Sequence, residues 1–364
     1  MRVLEQHYPP TLAQDWDKVG LVCGDPQNQI TKILLTVDVT AKVVEEAEEI
    51  GAQLIVAHHP FLLRGVNTIA TTTPKGRLLH RLIKADIALY TAHTNADSAR
   101  AGVNEALAKR LGLRELAPLS AAPTALDRLV VFVPHKQRDA VVDAVDAVIG
   151  PVLGDYTRCA FWADGTGTFT PGAGANPTIG EIGRVSVVPE SRLEMVIPRN
   201  KRARAVRAML DVHPYEEPAY DVIELAHTSR DEGLGRIGLL TKPLPFAEFV
   251  RAVAGALPST VVGVRGSGDP QRLISRVAVC GGAGDSLLAD ATRAGVDAYV
   301  TADLRHHPAS DVLEADGPAL VDAGHWATEW TWLPVAAELL DEEFGPEVGT
   351  TVSEIVTDPW TVRI

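Results

Sequence analysis

Leu54-Ile-Val-Ala-His-His-Pro60 is a short apolar run that ends in two adjacent histidines and a proline. A run of this length and character reads as a buried strand, and the proline marks where the strand must stop. Side chains alternate faces along a strand, so neighbouring histidines share one site only where the backbone turns at the strand's end. Around this stretch, residues 1–120 alternate strand and helix. Residues 32–38 and 87–91 read as strands, and 41–50, 75–85 and 102–111 as helices, with Thr40 capping the first. That rhythm calls for a mostly parallel sheet covered by helices.

Residues 235–364 return to the same rhythm. Strands are predicted at 276–280, 298–301 and 319–321, helices at 285–294 and 328–340, and two late strands at 351–356 and 360–364. Residues 51–60 and 295–308 echo each other, since both carry an apolar run that leads to His-His-Pro. The fold class expected is therefore α/β, with two related halves forming one split domain. The middle differs. Residues 129–134 and 193–198 are each a strand closed by proline and followed by a helical pattern, with further strand-like sequence nearby. Two such units predict an inserted ferredoxin-like α+β domain, giving boundaries of 1–124, 125–230 and 231–364. The glycine- and proline-rich stretch 165–177 reads as a long irregular loop.

At 364 residues the chain exceeds one ordinary core. Its three cysteines, Cys23, Cys159 and Cys280, lie far apart, which argues against a disulfide framework and against a thiolate zinc site. With no signal-peptide pattern and no stretch of membrane-spanning length, a cytoplasmic, non-membrane protein is expected. The net charge of −13 weighs against a nucleic-acid partner, because phosphate contacts need a basic face. A basic cluster, Arg199, Lys201, Arg202, Arg204 and Arg207, reads as a solvated helix face. The glycine-rich stretch from Cys280 to Ser286 fits neither phosphate-binding fingerprint and reads as a tight turn.

Ligands of open parallel sheets gather at the carboxyl ends of the strands. Three predicted strand ends carry metal-capable donors: His58 with His59, His93 with Asp97, and His325 with Glu329. His325 and Glu329 are four apart at a helix start and so share one face. Imidazole and carboxylate without thiolate suit zinc, iron, manganese or a similar divalent ion. So many donors exceed the needs of one four-coordinate ion, and two metals sharing a bridging carboxylate are expected. Such a pair supplies hydroxide near neutral pH. Of the remaining histidines, His7, His80, His135, His213 and His227 lack a strand-end context, whereas His306 and His307 sit at the repeat-equivalent strand end and are candidates to face substrate.

An ordered set of motifs runs along the chain: Asp15-Trp-Asp-Lys-Val-Gly-Leu21, Ala57-His-His-Pro60, His93-Thr-Asn-Ala-Asp97, Gly165-Thr-Gly-Thr-Phe169, Gly172 to Pro177, His213-Pro-Tyr-Glu-Glu217 and Gly324-His-Trp-Ala-Thr-Glu329. In these motifs the sequence resembles the Ngg-interacting-factor-three-like family, also labelled GTP cyclohydrolase I type 2 homologs, in its long bacterial form. It departs from the family pattern at Lys18, where asparagine is usual, and at Ala302, where glycine is common. The resemblance implies a dinuclear metal centre with ligands at His58, His59, Asp97, His325 and Glu329, and a toroidal homohexamer capped by the inserted domain. It places His93 beside the metals rather than on them. The reaction it implies is hydrolytic opening of the guanine imidazole ring of GTP with loss of formate, His93 or His307 moving protons. The rival expectation is a non-catalytic metal-binding or regulatory ring whose inserted domain senses a small ligand.

Overall fold

The computed structural model describes residues 1–152 and 156–364, with the side chains at 124 and 227–230, and so that of His227, outside the described set. The chain divides into two compact units, one made of Met1–Ala122 with Ser229–Ile364 and the other of Pro123–Thr228. Among the described residues no helix is long and apolar enough to cross a membrane.

The first unit holds two sheets. In the five-stranded one, Gly20–Cys23, Ala88–Thr91, Leu54–Ala57, Lys32–Thr36 and Gly349–Val352 lie side by side. Only the Gly20–Cys23 edge is antiparallel; the other pairings are parallel. Both faces of this sheet are covered, so its strands read as unbroken apolar runs rather than alternating ones. Ile33, Leu35, Leu54 and Val56 join one core, while Leu34, Ile55 and Ala57 join another with the helices Ala41–Ile50 and Pro74–Lys84. The six-stranded sheet runs Arg265–Ser267, Ala319–Asp322, Ala298–Ala302, Leu273–Ala283, His227–Pro245, Arg114–Thr124. Its inner pairings, Leu273–Ala283 with Ala298–Ala302 and Ala298–Ala302 with Ala319–Asp322, are parallel. Val277, Val279, Val300 and Val321 of this sheet share a core with Leu35 and Val56 of the other, filled between them by Leu107, Phe249, Trp332 and Leu333. Helix starts follow local chemistry: the Thr40 hydroxyl accepts from the Val43 amide at 3.4 Å, and Gly51 ends that helix at φ +68.

Four strands make the sheet of Pro123–Thr228, in the order Ala160–Phe169, Ser186–Pro198, Leu126–Pro134, Tyr220–Glu224, all antiparallel. Leu129, Val131, Val133, Leu193, Met195 and Ile197 alternate onto one face, where they pack on Val141 and Val145 of helix Arg138–Ile149 and Met209 of helix Arg202–Val212.

Several expectations need correcting. The glycine-rich stretch from 165 is not loop throughout, because Gly165 to Phe169 form the second half of a strand paired with Ser186 to Glu190. The tail at 360–364 pairs with no strand among the described residues, and the last strand is Gly349–Val352. The helix expected from 328 to 340 breaks at Thr331 into His325–Trp330 and Trp332–Phe344. The basic cluster is not simply solvated: Arg199 and Arg202 both bond the carboxylate of Asp127, which is fully buried, at 3.0 and 2.7 Å. A buried carboxylate recruits guanidinium partners because an unpaired charge there is costly.

Candidate metal centre

Each donor reaches the site from the carboxyl end of a strand. Past Ala57 the backbone keeps bonding to the neighbouring strand's continuation, His58 N to Thr36 O at 3.0 Å and His59 N to Val37 O at 2.9 Å. The chain bends there, and both imidazoles face the site with ring centroids 5.1 Å apart. The strand Ala88–Thr91 ends in His93, whose carbonyl accepts from the Asp97 amide at 2.9 Å, so one short helical turn brings Asp97 back over the site. From the other sheet, Ala319–Asp322 runs into Gly324 at φ +79 and then the helix His325–Trp330, which presents Glu329 one turn after His325. The two sheets thus aim their carboxyl ends at one place.

Glu329 is the hub. It is 3% exposed, with Oε1 3.0 Å from His325 Nε2 and 3.5 Å from His58 Nε2, and Oε2 3.1 Å from His59 Nε2. Asp97 Oδ1 lies 3.7 Å from His58 Nε2. Among the described residues, two sets of donors converge within 4.8 Å: His58, His59 and His93, and His59, His325 and Glu329.

All the site histidines are oriented in the same sense. His58 Nδ1 bonds the Ala92 carbonyl at 2.9 Å, His59 Nδ1 the Asp38 carboxylate at 2.7 Å, His325 Nδ1 Asp303 at 2.7 Å and His93 Nδ1 Asp17 at 2.9 Å. Each partner is an oxygen acceptor, so each Nδ1 carries a proton and donates, leaving Nε2 turned inward as the atom a metal would take. Metal-binding histidines are held in this way. Three inward atoms, His58 Nε2, Asp97 Oδ1 and Glu329 Oε2, are shielded from solvent and make no hydrogen bond, Glu329 Oε2 meeting His59 at ion-pair distance without its geometry. Buried polar atoms are seldom left so. An imidazole and carboxylate set with orphaned inward lone pairs fits a borderline divalent cation.

The electrostatics agree. Burial resists ionisation of Glu329, but the charges of His59, His325 and His58 outweigh it and hold the carboxyl well below its usual range. Burial likewise disfavours charge on His59 and His325, yet Glu329, with Asp38 and Asp303, raises both, His325 to about 9. Asp97 is pushed up to about 7, chiefly by burial. Without a cation, then, protons occupy the cluster, and a metal must displace them. Loading zinc near pH 7 is expected to release protons, the share from His325 declining as pH climbs through about 9, where that histidine loses its own proton. Calorimetry in buffers of different ionisation enthalpy measures this; buffer-independent heats would contradict it.

Of the residues singled out in the sequence, the structure gathers His58, His59, His93, Asp97, His325 and Glu329. His307 lies in the first turn of the helix His306–Glu314, is exposed, and belongs to neither donor set. Asp17, Asp38 and Asp303 also belong to the site, although their sequence context assigns them no role. Asp38 and Asp303 each stand just past a strand and take the Nδ1 proton of a histidine from another strand end, which only the tertiary fold reveals. Gly282 was missed as well. It has φ +64, and a Cβ there would overlap Glu329 Oε1 and come within 3.0 Å of His325 Nε2.

The description Duf34/NIF3 (NGG1p interacting factor 3) matches residues 1–359. Proteins of Mycobacterium tuberculosis and Bacillus subtilis, each named GTP cyclohydrolase 1 type 2 homolog, are 50% and 40% identical over 99% of this chain, covering 95% and 97% of their own lengths. Among solved structures, the Bacillus cereus protein related to NIF3 is 34% identical at a TM-score of 0.81, covering 100% of this chain and 97% of its own. The Staphylococcus aureus protein SA1388 is 29% identical at 0.83 with the same coverage. A profile spanning nearly every residue, with relatives of this identity end to end, places the chain in the Duf34/NIF3 family.

Proposed function

We propose that the protein is a metal-dependent hydrolase of the GTP cyclohydrolase 1 type 2 kind, built on a two-metal centre. The observation that carries the reading is the common orientation of the histidines, every Nδ1 anchored outward, with His58 Nε2, Asp97 Oδ1 and Glu329 Oε2 shielded and unpartnered inside. His58, His59, Asp97, His325 and Glu329 would hold the ions, Glu329 standing within 3.5 Å of His58, His59 and His325. When bound, such a pair lowers the pKa of a coordinated water to about 7 and polarises the bond to be cleaved.

The rest is done by side chains. Ala92 O, Asp38 and Asp303 fix the tautomers of His58, His59 and His325. His93 is backed by Asp17, a carboxyl that burial would protonate but that hydrogen bonds from His93 and Thr94 keep ionised. That pairing leaves His93 Nε2 to accept and return a proton beside the metals, which is the role proposed for it. A cavity of about 1150 Å³ opens on this side, with His59 and His325 on its wall together with Phe61, Trp326, Lys75 and Arg265. The aromatic faces suit a base, and Lys75 offers a cation for its phosphates, while Arg265 is paired with Asp322 at 2.8 Å; the aromatic wall with Lys75 supports a nucleotide substrate.

The proposal extends to the architecture. The order and antiparallel pairing of the strands in Pro123–Thr228 support a ferredoxin-like domain inserted into one split α/β domain of two related halves. A toroidal homohexamer follows from family resemblance; light scattering should return six times the chain mass, and a single-chain mass would contradict it.

Turnover tests the reaction. Protein loaded with zinc, manganese or iron should release formate from GTP, and His58→Ala should lower the rate by more than about 100-fold. Stoichiometric metal binding with no hydrolysis of GTP or any other nucleotide would favour the non-catalytic ring.

A further inference from the structure

Three motifs of the unit Pro123–Thr228 have no part in the metal centre: Gly165-Thr-Gly-Thr-Phe169, Gly172 to Pro177 and His213-Pro-Tyr-Glu-Glu217. They converge on one cavity of about 400 Å³, a size suited to a small ligand. The cavity lies on the sheet face that the helices leave uncovered. Leu129, Val131, Val133, Leu193 and Met195 point to the helices, so by alternation Phe132 and Glu190 point the other way. Two loops close over them and are tied together, Thr178 Oγ1 donating to Pro214 O at 2.8 Å and the Asn176 amide to Glu216 at 2.9 Å.

The walls have a definite chemistry. Phe132, Phe169 and Tyr215 supply aromatic surface, the last two in edge contact at 5.6 Å. Among the described residues the charged groups on the lining are all carboxylates, Glu190, Glu216 and Glu217, with no lysine or arginine. Glu190 is 8% exposed, and its Oε1 accepts from Tyr215 OH at 2.6 Å, while among the described residues no hydrogen bond reaches Oε2. Gly167 makes room for it, since a Cβ there would overlap the carboxylate. His213 fixes the loop: its Nδ1 accepts from the Tyr215 amide at 3.1 Å and its Nε2 donates to Phe132 O at 3.1 Å. Outside the lining, the Arg192 guanidinium already sits 5.9 Å from the Phe132 ring centre while pairing with Glu194 at 3.0 Å.

We propose that this cavity binds a small organic cation, an amine or guanidine whose charge meets Glu190 and whose carbon frame lies among the three rings. Aromatic faces attract cations, and a largely buried carboxylate with one free oxygen favours a charged donor. A bare metal ion is disfavoured, because among the described residues both convergent sets of metal donors lie in the other unit. Phosphates and carboxylates would meet like charge.

The test is calorimetry on the full-length protein in EDTA with agmatine, spermidine and choline, and with inorganic phosphate and glutamate as anionic controls. At least one cation should bind saturably. Glu190→Gln should weaken it by about tenfold, as for a lost charged hydrogen bond, and Tyr215→Phe by less. Glu329→Gln should leave it unchanged, which separates this site from the metal centre. Unaltered circular dichroism and Tm would show that Glu190→Gln folds; should it not fold, Glu217→Gln at the same wall takes its place. The proposal is overturned if no cation binds at millimolar concentration, if phosphate or glutamate binds as well as the cations, or if cation binding survives loss of these carboxylates.

Discussion

Glu329→Gln is expected to abolish tight metal binding while leaving the fold in place, with affinity lowered by more than about 100-fold. Three imidazole nitrogens, those of His58, His59 and His325, lie between 3.0 and 3.5 Å from this one carboxylate. Asp97, 3.7 Å from His58 and pushed up to about 7 by burial, is a poor replacement for it. Glutamine keeps the shape but removes the negative charge that holds His59 and His325 above the ordinary histidine range. In the variant those histidines fall neutral at lower pH, so the protons released on adding zinc should also decrease. Competition against a chromogenic chelator gives the affinity. A variant that binds zinc as tightly as the parent would remove Glu329 from the centre.

Gly282→Ala is the second large effect expected, and it comes from a residue with no chemistry of its own. The backbone there has φ +64, where a non-glycine residue costs about 1–2 kcal/mol. The new methyl would also overlap Glu329 Oε1. Glu329 cannot easily withdraw, since the turn that leads to it is pinned: Thr328 Oγ1 accepts from the Gly282 amide at 2.9 Å, and His325 is held by Asp303. A modest fall in Tm together with metal affinity lowered by at least about tenfold is therefore expected. Thermal melts and chelator competition read the two effects separately. A variant with lower Tm and parental metal affinity would mean that Glu329 relaxes freely, against the packing described here.

The pattern of what the sequence disclosed follows from physics. His58 and His59 were legible because an apolar run closed by His-His-Pro is a strand end by composition alone, and His325 with Glu329 because their spacing is one helical turn. Asp38 and Asp303 were not, since their value lies in reaching an imidazole on another strand. Gly282 sits in a run that local rules read as a turn, whereas its task is to let a backbone approach Glu329. The stretch 165–169 misled for a related reason: glycine and threonine there read as loop, yet Gly167 lies in a strand whose partner is lined with Glu190. The tail failed in the opposite direction. Trp360, Val362 and Ile364 alternate like a strand but are exposed and pair with none among the described residues.

The most direct measurement is an anomalous-difference map at the zinc edge from crystals of zinc-loaded protein. Two peaks are expected in the cluster formed by His58, His59, Asp97, His325 and Glu329. A map with no peak at Glu329, or with zinc bound only at sites away from these histidines, would contradict it.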